Sequence, residues 1–238
     1  MKIFCYDGSV EGMLSAFRSA DIEDNDCPEF FRQESFAPDL FSVPVAKIAS
    51  NKNHADEFLN KIEIAASRNA VITTFRIWMS DNEVNENSLY RVLRKSFKYN
   101  KDILSDRSDR DIELVCDISS KVSKEIHRFK GILRFSQLAD GKYFAKFAPE
   151  YNIILPLSKH FAVRLAKEEW IIYDEKRLIA VFYKNGEMSI SPAEKSEISK
   201  IEIFAKEEEE IRKLWKLFFA SISIPERKNS KLQARCLP

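Results

Sequence analysis

The chain changes its hydrophobic periodicity once, and this change is the strongest constraint on its fold. From residue 53 to residue 129, apolar residues recur at three- and four-residue spacing, the pattern of helices that bury one face. Beyond residue 131 short apolar runs replace this pattern, separated by Asp140-Gly141 and Asn185-Gly186, which are strong hairpin signals. Helices and strands that are segregated along a chain predict an α+β fold rather than a doubly wound sheet.

The same patterns predict individual elements. Ser9 is expected to cap a first helix that runs to Phe17, and residues 21–38 are expected to be a linking stretch. We expect further helices over residues 53–66, 71–79, 89–99, 109–129, 150–167 and 197–222. We expect strands over residues 3–6, 43–48, 132–138, 143–148, 170–173, 178–183 and 188–190.

These elements predict helix-rich N-terminal and middle regions packed with an antiparallel sheet, followed by a C-terminal helix. We expect a single domain over residues 1–238, with residues 53–129 as a candidate helical subdomain. The 18 phenylalanines favour a large aromatic core.

Charge and cysteine usage limit the classes of partner and compartment. The 38 Lys and Arg residues almost cancel the 37 Asp and Glu residues, so any nucleic-acid footprint must be local. No apolar run approaches the roughly 20 residues that span a bilayer, and the N-terminus lacks a signal-peptide pattern. The four cysteines form no Cys-x-x-Cys pair. We therefore expect a soluble, cytoplasmic protein with no membrane attachment.

Tyr6-Asp7-Gly8-Ser9 lies where a strand ends and a helix begins. A helix N-terminus offers unpaired N–H groups and a positive dipole end, so this turn could hold a phosphate. The alternative is a structural turn in which Ser9 caps the helix and Asp7 fixes the loop. Gly8 and Gly12 fit neither a Walker loop nor a dinucleotide fingerprint. Asp7 and Glu11 are the candidate catalytic carboxylates of this segment.

Basic and aromatic residues alternate between residues 125 and 135. Cations interleaved with rings suit a nucleic-acid strand, because the cations meet phosphates and the rings can stack on bases. The alternative is that the cations complement the dipole at a helix C-terminus while Phe129 and Phe135 lie in the core. The candidate binding residues of this cluster are Arg128, Lys130 and Arg134.

His160 and Arg164 lie four residues apart on one predicted helix and therefore share a face. An imidazole beside a guanidinium can bind an anion or transfer protons, although a lone His is commonly a hydrogen-bonded structural residue. The three histidines of the chain show no ligand spacing, so we expect neither a metal nor a cofactor.

Two further cations complete the candidate set. Arg177 follows Asp174 in a predicted turn, where an Asp usually bonds its own backbone, and Arg177 could still reach a phosphate. Arg227 belongs to a basic tail that would tolerate contact with a partner or with nucleic acid, although such tails are also often simply solvated.

At these residues the chain resembles a bacterial family of DNA-metabolism proteins of unknown function. The matching features span nearly the whole chain in the expected order: Tyr6-Asp7-Gly8-Ser9 with Glu11-Gly12, His127-Arg128-Phe129-Lys130-Gly131 with Arg134-Phe135, His160-Phe161 with Arg164, Trp170 with Asp174 and Arg177, and Leu214-Trp215 followed by Arg227, Asn229, Leu232, Gln233 and Pro238. Genes of this family are typically paired with a radical-SAM protein, and some members are fused to a uracil-DNA glycosylase domain. Members run slightly beyond residue 238, so the closing tail is expected to be incomplete.

The resemblance implies a role in DNA repair or modification but no specific activity. The chain has neither the Cys-x-x-x-Cys-x-x-Cys motif of an iron–sulfur cluster nor a glycosylase water-activating motif, so such chemistry is expected to belong to a partner. The leading hypothesis is an accessory protein that binds DNA and works with a radical-SAM enzyme. Its phosphate contacts are expected to be Arg128, Lys130, Arg134 and Arg164, helped by Arg177 and Arg227.

Two alternatives stay open. The chain could be an enzyme that acts on DNA or nucleotides, with Asp7, Glu11 and His160 meeting in a cleft. It could also be a protein-interaction scaffold whose basic cluster binds an acidic partner.

Overall fold

A computed structural model describes residues 2–24, 27–35 and 44–205, together with positions 208, 210, 211, 213, 214 and 217. The chain divides into two compact units, Met1–Ser123 and Lys124–Pro238. The predicted helical subdomain, residues 53–129, therefore contributes to both units. The expected α+β class is confirmed, because helices and two separate sheets are both present.

The first unit contains three strands and the helices that follow them. Its elements are β1 (Lys2–Tyr6), α1 (Val10–Ile22), β2 (Pro28–Arg32), β3 (Val45–Lys47), α2 (Lys52–Ala65), α3 (Arg68–Trp78), α4 (Glu83–Tyr99) and the beginning of α5 (Arg110–Ile132). The second unit contains the end of α5 and the elements β4 (Ser136–Gln137), β5 (Tyr143–Phe147), α6 (Ile154–Arg164), β6 (Trp170–Asp174), β7 (Ile179–Lys184), β8 (Glu187–Pro192) and α7 (Lys195–Ile201).

The sheet of the first unit is parallel, in the order β2-β1-β3. Phe4 at its centre pairs with Phe30 on one side and Ala46 on the other. The rings of Phe17, Phe30 and Tyr90 pack in a cluster, with centroids 4.6 Å apart for Phe17 and Phe30 and 4.8 Å for Phe30 and Tyr90. The phenylalanine-rich composition thus builds an aromatic core between β1, β2 and helices α1 and α4.

Strand β2 corrects the prediction that residues 21–38 form only a linking stretch. Residues Pro28–Arg32 pair in parallel with β1, and Phe30 is fully buried. The strand has five residues and one buried ring, so its own sequence shows little hydrophobic periodicity. Its parallel partner lies in a distant segment of the chain, which a local pattern does not reveal. Helix α1 also continues to Ile22, beyond the predicted end at Phe17.

The sheet of the second unit has the order β4-β5-β6-β7-β8. Both predicted hairpin turns are confirmed: Gly141 and Gly186 have positive φ angles of 88° and 85° and join β4 to β5 and β7 to β8. The sheet is nevertheless mixed rather than wholly antiparallel, since β5 and β6 pair in parallel. This follows from connectivity, because α6 lies between these strands as a crossover.

Helix α6 begins at Ile154 rather than near residue 150 and ends at Arg164. It contacts β6 and β7, whereas α7 packs on a cluster that includes Ile171, Tyr173 and Ala180. Of the helix predicted over residues 197–222, α7 contains the beginning, and residues 202–205 are not helical. The described positions 208, 210, 211, 213, 214 and 217 are helical, and the other residues of this range lie outside the described part of the chain. Among the described residues, no helix combines the length and apolar character needed to cross a membrane.

Candidate functional site

The predicted site residues fall into both units. Asp7 and Glu11 belong to the first unit, at the end of β1 and in the first turn of α1. The second unit holds the other described candidates, Arg128, Lys130, Arg134, His160, Arg164 and Arg177. Arg227 lies outside the described residues. Each group is therefore considered within its own unit.

Asp7 is held in a network of serine hydroxyls beyond the carboxyl end of β1. Its Oδ1 accepts hydrogen bonds from the Ser9 hydroxyl at 2.6 Å and the Ser9 N–H at 3.0 Å, and its Oδ2 accepts one from the Ser50 hydroxyl at 2.5 Å. Ser9 also caps α1, because its Oγ accepts the N–H of Gly12 at 2.9 Å. The predicted cap is thus present, and Asp7 supports it.

This geometry gives Asp7 a structural role in the turn. Partial burial acts to raise the pKa of its carboxyl, but the hydrogen bonds from Ser50 and Ser9 outweigh burial and leave the pKa lowered. A carboxylate with a lowered pKa is a weak general base near neutral pH. It also supplies, at the start of α1, the negative charge that a bound phosphate would have brought. Glu11 is exposed in the first turn of the same helix.

A buried ion network, which no sequence pattern indicates, lies next to this turn. Glu86 on α4 is fully buried and accepts a hydrogen bond from the hydroxyl of Tyr6 and another from Arg32 Nη2 at 2.5 Å. Arg32 Nη1 also pairs with Asp81 at 2.9 Å. Burial raises the pKa of Glu86, and the Arg32 guanidinium opposes that rise. The network joins the ends of β1 and β2 to α4.

Arg128 takes part in an internal contact of the second unit. Its Nη2 lies 3.1 Å from Glu125 Oε1, and the Glu125 side chain is only 5% exposed. Both oxygens of Glu125 also accept backbone N–H groups, from Glu150 at 3.0 Å and Tyr151 at 2.9 Å. Glu125 therefore fastens the loop before α6 to α5, and Arg128 neutralises its charge.

Arg177 is held in a similar way. The buried Asp174 carboxylate accepts the N–H groups of Lys176 and Arg177, at 2.9 and 3.1 Å, and the Arg177 guanidinium at 3.1 Å. Arg177 also donates to the carbonyl oxygen of Glu150 at 3.0 Å. Asp174 therefore bonds the backbone of its own turn, as predicted. The Arg177 side chain is only 12% exposed.

The two phenylalanines of the basic cluster pack inside the second unit. Phe129 is 3% exposed and contacts Phe147, with ring centroids 5.1 Å apart. Phe135 contacts Phe161 and Trp170, at centroid distances of 4.9 and 6.2 Å. Base stacking by Phe129 is therefore not supported, and both rings position the surrounding backbone instead.

Packing in the second unit brings together the segments of the two predicted clusters, because Phe135, just after α5, contacts Phe161 of α6. Lys130 lies in the last turn of α5, and His160 and Arg164 lie on α6. Burial, followed by the positive charges of Lys130 and Arg164, lowers the pKa of His160. His160 is half-buried, while Arg164 is exposed. We call Lys130, His160 and Arg164 the basic face.

Arg134 extends the same region. Its side chain is exposed, and its Nη1 donates to the carbonyl oxygen of Gly131 at 3.3 Å. The next residue, Phe135, packs on Phe161 of α6, so the end of α5 and α6 are neighbours within this unit. Arg134 and Arg164 are thus exposed, Lys130 and Arg128 are half-buried, and the Arg177 side chain is mostly buried.

Charge is unevenly distributed along the second unit. Residues 124–164 carry Lys or Arg at eight positions (124, 128, 130, 134, 142, 146, 159 and 164) and Asp or Glu at three (125, 140 and 150). Residues 165–205 carry six basic and eight acidic residues. The nearly neutral chain therefore concentrates positive charge on the segment that contains the basic face.

No metal-binding arrangement occurs in the described ranges, where no group of three or more His, Cys, Asp or Glu side chains could hold an ion. The arrangement is a positively charged patch at the end of α5 and on α6.

Comparison with known proteins identifies a family. The model of a family described as a domain of unknown function, DUF4130, matches residues 83–238. The matched segment contains the basic face and Glu125, whereas Asp7, Glu11 and Arg32 lie before it. No curated protein matches the chain.

Proposed function

Because the chain belongs to the DUF4130 family, a domain of unknown function, we propose its role from its own residues: it binds nucleic acid through the basic face of its second unit. In this proposal Lys130, Arg134 and Arg164 contact backbone phosphates. Arg128 and Arg177 support the surface from inside by holding the loop before α6.

The observation that carries the proposal is the local excess of positive charge over residues 124–164, where eight basic residues stand against three acidic ones. The contact of Phe135 with Phe161 brings the end of α5 close to α6, so cations of both helices belong to one region of the second unit. Like charges on one surface repel, and a bound anion relieves that repulsion. A phosphate backbone supplies such anions at regular spacing, which suits a surface of several cations.

The proposal includes a partner. By resemblance to the DNA-metabolism family, the DNA-bound protein works as an accessory to a radical-SAM enzyme in DNA repair or modification. In that division of labour the partner supplies the reaction, and the basic face holds the substrate strand. Pull-down with a candidate radical-SAM protein, in the presence and absence of DNA, tests this part separately.

The test of DNA binding is fluorescence anisotropy with labelled single- and double-stranded oligonucleotides at low salt. The test variant is the double charge reversal Lys130→Glu/Arg164→Glu. Arg128 is left unchanged, because a negative charge at that position would face the buried Glu125 and perturb folding. The matched control is Lys52→Glu/Arg68→Glu, which changes one Lys and one Arg that are exposed in the first unit.

The control changes the net charge by the same amount, and both replacements lie in first turns of helices, where an acidic residue is favourable. We expect the test variant to lose at least tenfold in affinity and the control to lose much less. Equal losses in the two variants would show that only net charge matters. Absence of binding by the unmodified protein at low salt would refute the proposal and favour the scaffold alternative, with an acidic protein as partner.

A further inference from the structure

The two edges of the second unit's sheet differ in how they are covered. Beside β4 the chain returns along the edge, where Ala205 donates its N–H to the carbonyl oxygen of Gln137 at 3.0 Å and Leu138 forms an isolated bridge with Phe204. At the opposite edge, all six residues of β8 are exposed, and within the described part of the chain no strand pairs with its outer side. An uncovered edge is a row of unpaired backbone donors and acceptors, which natural sheets commonly protect.

Strand β8 carries few of the features that protect an edge. Its register with β7 runs without a bulge over six consecutive pairs, and among its six residues Glu187 is the one charged residue. Met188 and Ile190 are 42% and 52% exposed. They lie opposite Tyr183 and Val181 of β7, which are buried, so the two side chains extend an apolar face of the sheet to its exposed edge.

The hydrogen-bond pattern shows which backbone groups this edge offers. Residues of an antiparallel strand alternate between those that bond the neighbouring strand and those whose N–H and C=O point away from it. The N–H of Ala193 bonds the carbonyl oxygen of Leu178 at 2.8 Å, which fixes the alternation: Met188, Ile190 and Pro192 point their backbone groups away from β7. Pro192 agrees with this phase, since proline in a sheet takes positions whose N–H would face solvent.

We propose that β8 is a self-association edge, which pairs antiparallel with β8 of a second copy of this chain. A two-fold axis through Ser189 places Met188 of each copy opposite Ile190 of the other. Each of these pairs exchanges both of its hydrogen bonds, so the outward N–H and C=O groups of both residues are satisfied and no donor is needed from Pro192. The same pairing brings the exposed Met188 and Ile190 side chains together on one face, where apolar cross-strand contacts stabilise a sheet.

The charges of the edge also fit a second copy. In this register Glu187 lies opposite Ser191 of the second copy, so no like charges face each other across the contact. The two Glu187 residues are separated by roughly 13 Å along the strands, which exceeds the Debye length of about 8 Å at physiological ionic strength. Each Glu187 also lies opposite Lys184 of its own β7. A two-fold pair uses the same edge on both sides, so the match of backbone groups and apolar side chains follows from symmetry.

The first test is sedimentation velocity of the full chain at concentrations from about 1 to 500 μM, because a contact this short gives a weak, reversible dimer. The test variant is Ile190→Lys, which places a cation beside Met188 of the second copy. The matched control is Ile64→Lys on α2, where the isoleucine is 84% exposed. We expect the unmodified protein and Ile64→Lys to dimerise alike, and Ile190→Lys to raise the dissociation constant at least about tenfold.

The second test reports the register through introduced thiols. Ser189→Cys places two thiols opposite each other at the two-fold axis, with Cα atoms about 4.5 Å apart, which a disulfide can span. Ser191→Cys, on the same face of the same strand, places the two thiols roughly 13 Å apart along the strands. Under mild oxidation we expect a disulfide between the introduced thiols of Ser189→Cys, identified by peptide mapping, and none between those of Ser191→Cys.

The contrary outcomes are specific. A chain that stays monomeric over this range, with no cross-link in Ser189→Cys, would overturn the inference and leave the edge to a strand of a different protein. Dimerisation that Ile190→Lys does not weaken, or equal cross-linking of the two thiol variants, would place the contact elsewhere and overturn it as well. None of these results bears on the proposed function, because DNA binding is measured separately.

Discussion

Replacement of Gly12 by alanine tests the hydrogen-bonded turn around Asp7. At an ordinary helix glycine this substitution raises the free energy of unfolding, whereas at Gly12 we expect it to lower that free energy. An alanine Cβ at this position would lie 2.2 Å from Asp7 Oδ1, 3.0 Å from Ser50 Oγ and 3.1 Å from Ser9 Oγ. Asp7 cannot keep its hydrogen bonds to both serines at these distances, so the carboxylate must move. Gly131 on α5 is the matched control, since a Cβ there meets nothing within 4 Å.

The magnitude follows from two opposing effects. Alanine is favoured over glycine inside a helix by about 1 kcal/mol. Displacement of Asp7 gives up three hydrogen bonds in a partly exposed site, each worth about 0.5–1 kcal/mol. We therefore expect Gly12→Ala to lower the free energy of unfolding by about 1 kcal/mol. Gly131→Ala lies near the end of its helix, and we expect it to raise the free energy by about 0.5 kcal/mol.

The assay is urea unfolding followed by circular dichroism, with each transition fitted separately, because the two units need not unfold together. The background variant Asp7→Ala completes a double-mutant cycle with Gly12→Ala. In the Asp7→Ala background, Gly12→Ala should cost much less stability. The alanine Cβ then meets only the two serine hydroxyls, at 3.0 and 3.1 Å, instead of a carboxylate oxygen at 2.2 Å. Stabilisation by Gly12→Ala equal to that of Gly131→Ala would refute the rigid network around Asp7.

Two other predictions concern the buried and exposed carboxylates. Glu125→Ala should lower the free energy of unfolding by about 3–5 kcal/mol. The substitution removes the carboxylate that accepts the N–H groups of Glu150 and Tyr151 and pairs with the Arg128 guanidinium. The control is Lys124→Ala at the exposed neighbouring position, which should change the free energy of unfolding by less than about 0.5 kcal/mol. Asp7→Asn should be less stable than the unmodified protein at neutral pH, and the difference should shrink in acid. The folded-state pKa of Asp7 is lowered, so its contribution is present above the unfolded value near 3.8 and is lost as the pH falls through the folded value.

Both predictions have clear contrary outcomes in urea-unfolding measurements. A Glu125→Ala protein as stable as Lys124→Ala would mean that the loop before α6 does not depend on this carboxylate. A stability difference between the unmodified protein and Asp7→Asn that stays constant, or grows, between about pH 7 and pH 3 would contradict the assigned pKa direction.

The elements that the sequence predicted well are those determined by local chemistry. The glycine turns at Gly141 and Gly186 require positive φ, and Ser9 caps the helix that follows it, so short segments contain the whole signal. Helix α5 was expected over residues 109–129 and occupies Arg110–Ile132, because its apolar stripe persists for more than five turns.

The missed features depend on partners that are distant in sequence. Strand β2 forms because β1 offers it a parallel edge, and the pair of Arg32 and Glu86 joins residues 54 positions apart. No local sequence pattern indicates strand β2 or the Arg32–Glu86 pair. The Glu125–Arg128 pair is different, since a spacing of three on a helix favours such contacts and could have indicated that Arg128 serves the interior.

The candidate interface also combines features that the local sequence predicts with features that only tertiary packing determines. The sequence identified basic residues at the end of α5 and on α6 as separate clusters, and it could not tell which of them face outward. Tertiary packing decides this: Phe135 on Phe161 brings the two helices together, while Glu125 and Asp174 engage two of the cations internally. Of the remaining candidate cations, Arg134 and Arg164 are exposed and Lys130 is half-buried.

The most direct test of the central claim is the salt dependence of DNA binding by Lys130→Gln/Arg164→Gln, compared with Lys52→Gln/Arg68→Gln, between about 50 and 200 mM salt. If Lys130 and Arg164 each contact a phosphate, the slope of log affinity against log salt should become shallower by about 1.8 for duplex DNA and about 1.4 for a single strand. The control should keep the slope of the unmodified protein. An unchanged slope in the Lys130/Arg164 variant would contradict the account, because it would mean that DNA, if bound at all, is held elsewhere.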